Sequence, residues 1–131
     1  MFERFVGIPY VAHGRDYFGA DCWGILYLFY RDVLGVDIPS YVAEMEGKSF
    51  DRHGIAPLME AERDIRWKRV QNPVHGDGVS MRVGRMETHV GVYLDRGRLL
   101  HSEGPNPSEI VRIDDIRVKS RIAGFYRFNA C

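Results

Sequence analysis

A helical period that begins directly after the run Asp21-Cys22-Trp23-Gly24 constrains the fold more than any other feature of this chain. Apolar residues recur there at spacings of three and four, as they do on an amphipathic helix; they are Ile25, Leu26, Phe29, Val33 and Leu34. Asp21 stands where a helix N-cap is expected, and Gly35 stands where a helix ends. The pattern predicts a first helix over residues 21–34 with Cys22 in its first turn.

Cys22 has two interpretations at this position. The thiolate is the nucleophilic form of cysteine, and the positive end of a helix lowers a thiol's pKa. The position therefore predicts a reactive thiol of low pKa. The alternative is an inert cysteine that packs as a small hydrophobic residue. The second cysteine, Cys131, is the last residue, and we expect no role for it.

Composition excludes several classes of protein. The 131 residues suit a single domain over 1–131, and 45% of them are hydrophobic, enough for one core. Acidic and basic residues balance at 18 each, whereas a nucleic-acid binder should carry a basic excess. No apolar run approaches a membrane span of ~20 residues. Two cysteines without CxxC or HExxH motifs predict neither a disulfide framework nor a metal site, and no cofactor is indicated.

Helical patterns come first along the chain and strand patterns come later. A polar loop is expected through about residue 53, and Ile55–Ile65 predicts a second helix with Ile55, Leu58, Met59, Glu62 and Ile65 on one face. The predicted strands are Trp67–Val70, Val79–Val83, His89–Leu94, Arg98–His101, Ile110–Ile113 and Gly124–Phe128. This order predicts an α+β domain in which N-terminal helices pack on an antiparallel β-sheet.

A β-hairpin is predicted around Asp95-Arg96-Gly97. A two-residue turn would place His89 and His101 on opposite faces of it. A three-residue loop with Gly97 in the left-handed conformation pairs His101 with Gly91 instead. We favour the second register because Gly97 tolerates positive φ at the last loop position. The two histidines are then diagonal neighbours on one face, roughly 7–8 Å apart at the backbone.

Two histidines on one face can act together beside a thiol. One can take the thiol proton, while the other accepts an N–H bond and fixes the tautomer of the first. The alternative is that each is a surface or hydrogen-bonded core histidine. The three remaining histidines lie in polar loops with glycines nearby, where we expect a solvated side chain; they are His13, His53 and His75.

Taken in order, these motifs resemble the NlpC family of papain-like cell-wall cysteine peptidases. The resemblance runs over roughly residues 7–103, and its parts are Tyr10 twelve residues before Cys22, Asp21-Cys22-Trp23-Gly24, Gly76-Asp77, His89-Val90-Gly91-Val92-Tyr93 and Leu100-His101. It implies a papain-like fold and a Cys-His-His triad. Cys22 would be the nucleophile, His89 the general base and acid, and His101 the residue that orients His89. Tyr10 would line the site near the oxyanion, with the Cys22 backbone N–H as a further donor.

The resemblance also implies a substrate and a setting. Family members cleave peptidoglycan stem peptides, typically between γ-D-glutamate and the diamino acid. Most carry Ser after the cysteine, whereas Trp23 and the closing run Ala123–Phe128 resemble the phage-tail and prophage subset, which is similar to the lambda tail assembly protein K peptidase domain. The first residues lack a signal-peptide pattern. We therefore expect a product of the bacterial cytoplasm that is incorporated into a phage or phage-like tail, with tail-tip proteins as partners.

Two further functions stay open at this point. A structural or assembly protein of the tail tip could keep the fold without the chemistry. A cysteine amidase or acyltransferase on the same scaffold would form the same thioester.

Overall fold

The computed structural model describes residues 2–47 and 55–129. Helix α1 spans Cys22–Phe29 and continues as a π-helical turn over Tyr30–Leu34, which ends at Gly35 with φ 68°. Helix α2 is a short helix, Val42–Met45, and α3 spans Ile55–Arg66. None of the described helices is long and apolar enough to cross a membrane.

The described strands form two antiparallel sheets. A small hairpin joins β1, Arg15–Asp16, to β2, Gly19–Ala20. The main sheet has the order β3-β8-β4-β5-β6-β7. Its members are β3 Trp67–Val70, β4 Gly78–Val83, β5 Met86–Leu94, β6 Arg98–His101, β7 Glu109–Arg112 and β8 Ile122–Phe128. The predicted α+β class is confirmed, and the predicted strands differ from the observed ones only by a few residues at their ends.

The hairpin of β5 and β6 has the three-residue register. Tyr93 pairs with Leu99 and Leu94 with Arg98, so the same register places Gly91 opposite His101. Gly97 has φ 67°, the left-handed value that the register needs. The predicted hairpin is therefore confirmed.

Hydrophobic residues pack on both faces of the sheet. Val92, Leu94 and Leu100 belong to the larger core, which they share with α1. Their neighbours Leu99 and Tyr93 belong to a smaller cluster with β4 and β8. Because successive side chains of a strand point to opposite faces, this alternation places α1 on one face of β5 and the smaller cluster on the other.

The turn at Gly76-Asp77 ties the sheet to α1. Its backbone exchanges hydrogen bonds with Tyr93, at 2.8 Å and 2.7 Å, and the hydroxyl of Tyr30 donates to the Gly76 carbonyl. The buried Asp77 carboxylate accepts two bonds from Arg127 on β8, at 3.0 Å and 2.9 Å. The Gly-Asp turn, which lies just before β4, therefore ties β5 and β8 to the end of the first helix.

Two expectations need correction. The loop before residue 53 contains α2, whose Met45 is buried, because the segment packs beside the start of α1. Ile65 is 68% exposed and does not belong to the buried face of α3. Successive residues of a helix are rotated by about 100°, so Met59, Glu62 and Arg66 lie on one face of α3. Ile65 lies at the border of that face.

Candidate active site

Cys22 is the first residue of α1, and Asp21 is its N-cap as predicted. The Asp21 carboxylate accepts the Gly24 N–H at 2.8 Å, which is the standard capping bond. It also accepts the His13 N–H at 2.9 Å and forms an ion pair with Arg15 at 2.7 Å. The fully buried Asp21 is thus committed to holding the helix start, so it has no free oxygen for proton transfer in the described structure.

The two residues after Cys22 fix the approach of the helix. Trp23 is buried, and its indole N–H donates to the Pro39 carbonyl at 2.7 Å. A side chain at Gly24 would place a Cβ 2.2 Å from the Gly14 carbonyl oxygen. Only glycine lets the loop pack this closely on the first turn of α1. Trp23 is a core residue, although it also borders a small apolar cavity near Glu62.

His89 on β5 and His101 on β6 form a direct hydrogen bond. His89 Nε2 lies 2.8 Å from His101 Nδ1, and the ring centroids are 5.0 Å apart. Both side chains are buried. A Cβ at Gly91 would lie 3.1 Å from the His101 Cβ and 2.9 Å from the Leu100 oxygen, so glycine leaves the space in which the imidazole of His101 lies across the strand.

Cys22 and His89 line one open cleft of about 410 Å³, together with Tyr10, Ser102 and Glu103. The β5–β6 pairing ends at Val92–Leu100. Beyond that point the Val90 N–H on β5 donates to the Cys22 sulfur. The first turn of α1 therefore contacts the backbone of β5 beside His89. This contact brings Cys22 of the helix together with His89 on β5 and His101 on β6.

Burial sets the protonation states of Cys22, His89 and His101. Burial, and then the charge of Asp21, raises the pKa of Cys22 to about 12, against the opposing effect of two backbone N–H donors. The expectation of a low pKa from the helix start is therefore wrong for this structure, because desolvation outweighs the helix end. Burial, and then His101, lowers the pKa of His89 to about 3. Burial likewise lowers the pKa of His101. At neutral pH the site holds a thiol and two neutral imidazoles.

Three polar residues around the histidines carry no signal in the sequence motifs. Glu103 lines the cleft, and both of its oxygens accept from Arg121, one of them at 2.9 Å. Ser102 is fully buried, and its Oγ has no hydrogen-bond partner within the described ranges. Glu109 lies on β7 directly opposite His101. Ser102 and Glu103 follow His101 in sequence and could have been suspected, whereas Glu109 depends on the return of the chain through residues 102–108.

One group of side chains could hold a metal ion. Donor atoms of His89, His101 and Glu103 lie within 4.8 Å of one another, and this is the one such group among residues 2–47 and 55–129. The sequence predicts no metal site. In the structure the two imidazoles bond to each other through one nitrogen each, and both Glu103 oxygens accept from Arg121.

The remaining histidines lie elsewhere. His13 contributes its backbone N–H to Asp21. His75 packs against Phe2 and Phe29, and its Nδ1 accepts the Asp95 N–H at 3.1 Å. His53 and Cys131 fall outside the described residues.

Comparisons with known proteins address the family and the fold. The model of the NlpC/P60 family matches residues 7–126. No curated protein matches the chain. The NlpC/P60 domain of the peptidoglycan hydrolase SagA is 21% identical with a TM-score of 0.58, and the match covers 95% of this chain and 89% of that one.

Two longer proteins contain a similar fold. A lipoprotein-like NLP/P60 protein from Staphylococcus aureus is 19% identical with a TM-score of 0.66, covering 98% of this chain and 39% of that one. An NlpC/P60 family protein from Bacillus cereus is 24% identical with a TM-score of 0.58, covering 95% and 36%. This chain thus spans little more than a third of either. Because the family pattern runs from residue 7 to residue 126, the chain belongs to the NlpC/P60 family.

Proposed function

We propose that this chain is a cysteine endopeptidase that hydrolyses peptidoglycan stem peptides through Cys22, His89 and His101. One observation carries the proposal: the buried His89–His101 hydrogen bond of 2.8 Å ends at a cleft that Cys22 also lines. The structurally similar SagA is described as a peptidoglycan hydrolase. The bond between γ-D-glutamate and the diamino acid is the one that the family resemblance favours.

In this mechanism His89 moves one proton at a time. Its Nε2 is bonded to His101, so Nδ1 is the ring nitrogen left to accept the proton of the Cys22 thiol. The sulfur forms a bond to the scissile carbonyl carbon, and the carbonyl oxygen becomes an oxyanion. When the C–N bond breaks, His89 returns the proton to the leaving amine. Water then attacks the thioester carbon with His89 as its base, the C–S bond breaks, and His89 returns the proton to the Cys22 sulfur as the acid product leaves.

Two donors suit the oxyanion. The Cys22 N–H lies in the first turn of α1, where no helical carbonyl precedes it as an acceptor. Tyr10 lines the same cleft, and burial, followed by the charges of Cys22 and Asp21, raises the pKa of its phenol to about 12. A phenol that stays protonated at neutral pH can donate to a developing negative charge.

The starting state of the proposed mechanism is neutral. A thiol with a raised pKa and an imidazole with a lowered one keep the proton on sulfur until a carbonyl is in place. The carboxylate of Glu103 favours the charged form of His89, whereas Arg121 opposes it. Proton transfer to His89 therefore accompanies attack on the substrate.

We place the enzyme in a phage tail or prophage. The run Asp21-Cys22-Trp23-Gly24 and the closing Ala123–Phe128 support this setting, since both resemble the phage-tail subset of the family. Tail-tip proteins would be its partners.

The test is a digest of purified muropeptides read by mass spectrometry. Wild type and a Cys131→Ser control should release fragments that carry one added water, and Cys22→Ala should release none. An acyltransferase would instead give products joined to an amine acceptor, and a purely structural tail protein would leave the muropeptides intact in every sample. Equal cleavage by wild type and Cys22→Ala would refute the proposed chemistry.

A further inference from the structure

The histidine pair has a carboxylate behind it. Glu109 on the edge strand β7 pairs with His101 on β6, and its Oε2 lies 3.3 Å from His101 Nε2. The His101 side chain is 3% exposed, whereas that of Glu109 is 40% exposed. Nε2 is buried and has no fully formed hydrogen bond to any described residue. A small rotation of the half-exposed Glu109 side chain would give this buried nitrogen the acceptor that it lacks.

The position of the proton on His101 decides whether His89 can act as a base. A neutral imidazole carries one N–H and one acceptor nitrogen. If His101 holds its proton on Nε2, then Nδ1 accepts from His89 Nε2–H, and His89 Nδ1 is free to take the thiol proton. If His101 holds its proton on Nδ1, then His89 must accept with Nε2, and its own proton blocks Nδ1. An acceptor at His101 Nε2 selects the first arrangement.

Of the two glutamates near His101, only Glu109 is placed to supply that acceptor. Both oxygens of Glu103 accept from Arg121. The other oxygen of Glu109, Oε1, lies 3.6 Å from Arg117 Nη1. Oε2 is therefore the oxygen that lies beside His101.

We propose that Glu109 is a positioning residue that holds His101 in the Nε2–H tautomer and thereby keeps His89 Nδ1 free for Cys22. This proposal rests on the proposed peptidase function for its catalytic meaning, although the tautomer itself is a property of the free protein. Four side chains therefore follow one another from the cleft to the edge of the sheet: Cys22, His89, His101 and Glu109. During catalysis protons are taken up and released at His89 Nδ1, while the N–H of His101 stays with its own ring.

Three variants separate the acceptor from the charge. Glu109→Thr suits a strand but is too short to reach Nε2, so it removes the acceptor. Glu109→Gln keeps an acceptor oxygen and removes the charge. Asp114→Asn removes a carboxylate from an exposed ion pair with Arg112, close along the chain and away from the histidines, and is the matched control.

The first readout is ¹⁵N NMR of the imidazoles in the full chain at neutral pH, without substrate. Wild type, Glu109→Gln and Asp114→Asn should show protons on Nε2 of both His89 and His101. Glu109→Thr should show a substantial Nδ1–H population. Identical tautomers in Glu109→Thr and wild type would overturn the proposal.

The second readout is turnover of muropeptides, with kcat and KM measured separately. Glu109→Thr should lower kcat on the order of tenfold or more with little change in KM, because a wrong tautomer removes the base and leaves binding intact. Glu109→Gln should recover most of kcat. An equal loss in Asp114→Asn would show a general effect of the edge strand and would also overturn the proposal. A wild type that cleaves nothing would refute the peptidase function, while the tautomers would still decide the role of Glu109.

Discussion

At the scale of single residues, the short contact between His89 and His101 assigns different tasks to two rings of the same chemistry. His89 lines the cleft and has one ring nitrogen that takes no part in the bond to His101, whereas His101 is bonded to His89 on one side and lies near Glu109 on the other. Loss of the base and loss of its support should therefore have unequal effects.

His89→Ala should abolish turnover, because it removes the ring nitrogen that takes the thiol proton. His101→Asn should keep a partial activity, roughly tenfold or more above His89→Ala, because an amide oxygen can accept the same N–H bond. The measurement is kcat/KM on muropeptides, with circular dichroism to confirm folding. If His101→Asn is as inactive as His89→Ala with its fold intact, then His101 transfers protons itself.

The Cys22 thiol should react slowly with iodoacetamide in the free protein at neutral pH. Burial raises its pKa to about 12, so the midpoint of the rate against pH should lie above the free-cysteine value of about 8.5. The rate is best measured in a Cys131→Ser background, in which one thiol remains. A midpoint below about 8.5 would mean that a thiolate exists before substrate binds, and the neutral starting state would be wrong.

At the scale of elements, the site depends on how α1, β5 and β6 approach one another. The helix start reaches Val90 beyond the end of the β5–β6 pairing, and Gly91 leaves the space for His101 beside it. A substitution that changes the spacing of β5 and β6 should therefore displace the histidines even though it does not replace them.

Gly91→Ala should impair the site more than it impairs the fold. Its Cβ would lie 2.6 Å from Leu99 Cδ1 and 2.9 Å from the Leu100 oxygen, and the backbone oxygen can move only if β6 moves. We expect a loss of about 1–3 kcal/mol in the free energy of unfolding, together with a large fall in kcat.

The control for this change is Gly84→Ala in the turn between β4 and β5. Gly84 has φ 64° with open space around it, so alanine is strained there by about 1 kcal/mol but displaces nothing. Urea unfolding and muropeptide turnover of the two variants should show similar losses of stability and very different losses of activity. Full activity in Gly91→Ala would show that the spacing at Gly91 does not position His101.

At the scale of the whole molecule, two neutral buried histidines make the fold sensitive to acid. His89 has a pKa of about 3 in the folded chain against an ordinary value of 6.5, so between these values the unfolded chain binds the extra proton. Stability is then full above pH 6.5 and falls as the pH drops toward 3. The lowered pKa of His101 acts in the same direction.

Wild type should lose about 2 kcal/mol of unfolding free energy between pH 7.5 and pH 5 from His89 alone. His89→Gln should lose correspondingly less over the same range, because the substituted amide does not titrate. Urea unfolding at several pH values measures both. Above pH 7.5 the two proteins should run parallel, and parallel curves down to pH 5 would contradict the low pKa of His89.

The sequence by itself determined the helix start at Cys22, the hairpin register and the order of elements. Each depends on local chemistry: the Asp21 cap, the left-handed Gly97 and the periods of apolar residues. The family likeness could also be recognised from motif order over roughly residues 7–103, and the family model matches residues 7–126. Local patterns could not show Ile65 as exposed, since the border of a buried face depends on what packs against it.

Only the tertiary structure decided the electrostatics of the site. The helix end favours a thiolate at Cys22, but burial under β5 outweighs it, and burial is a property of the packed chain. In the same way, Glu103 and Arg121 form an ion pair although they are 18 positions apart in the sequence. Glu109 lies beside His101 only because β7 pairs with β6. Local chemistry determines which elements form, whereas desolvation and pairing at a distance determine what their side chains can do.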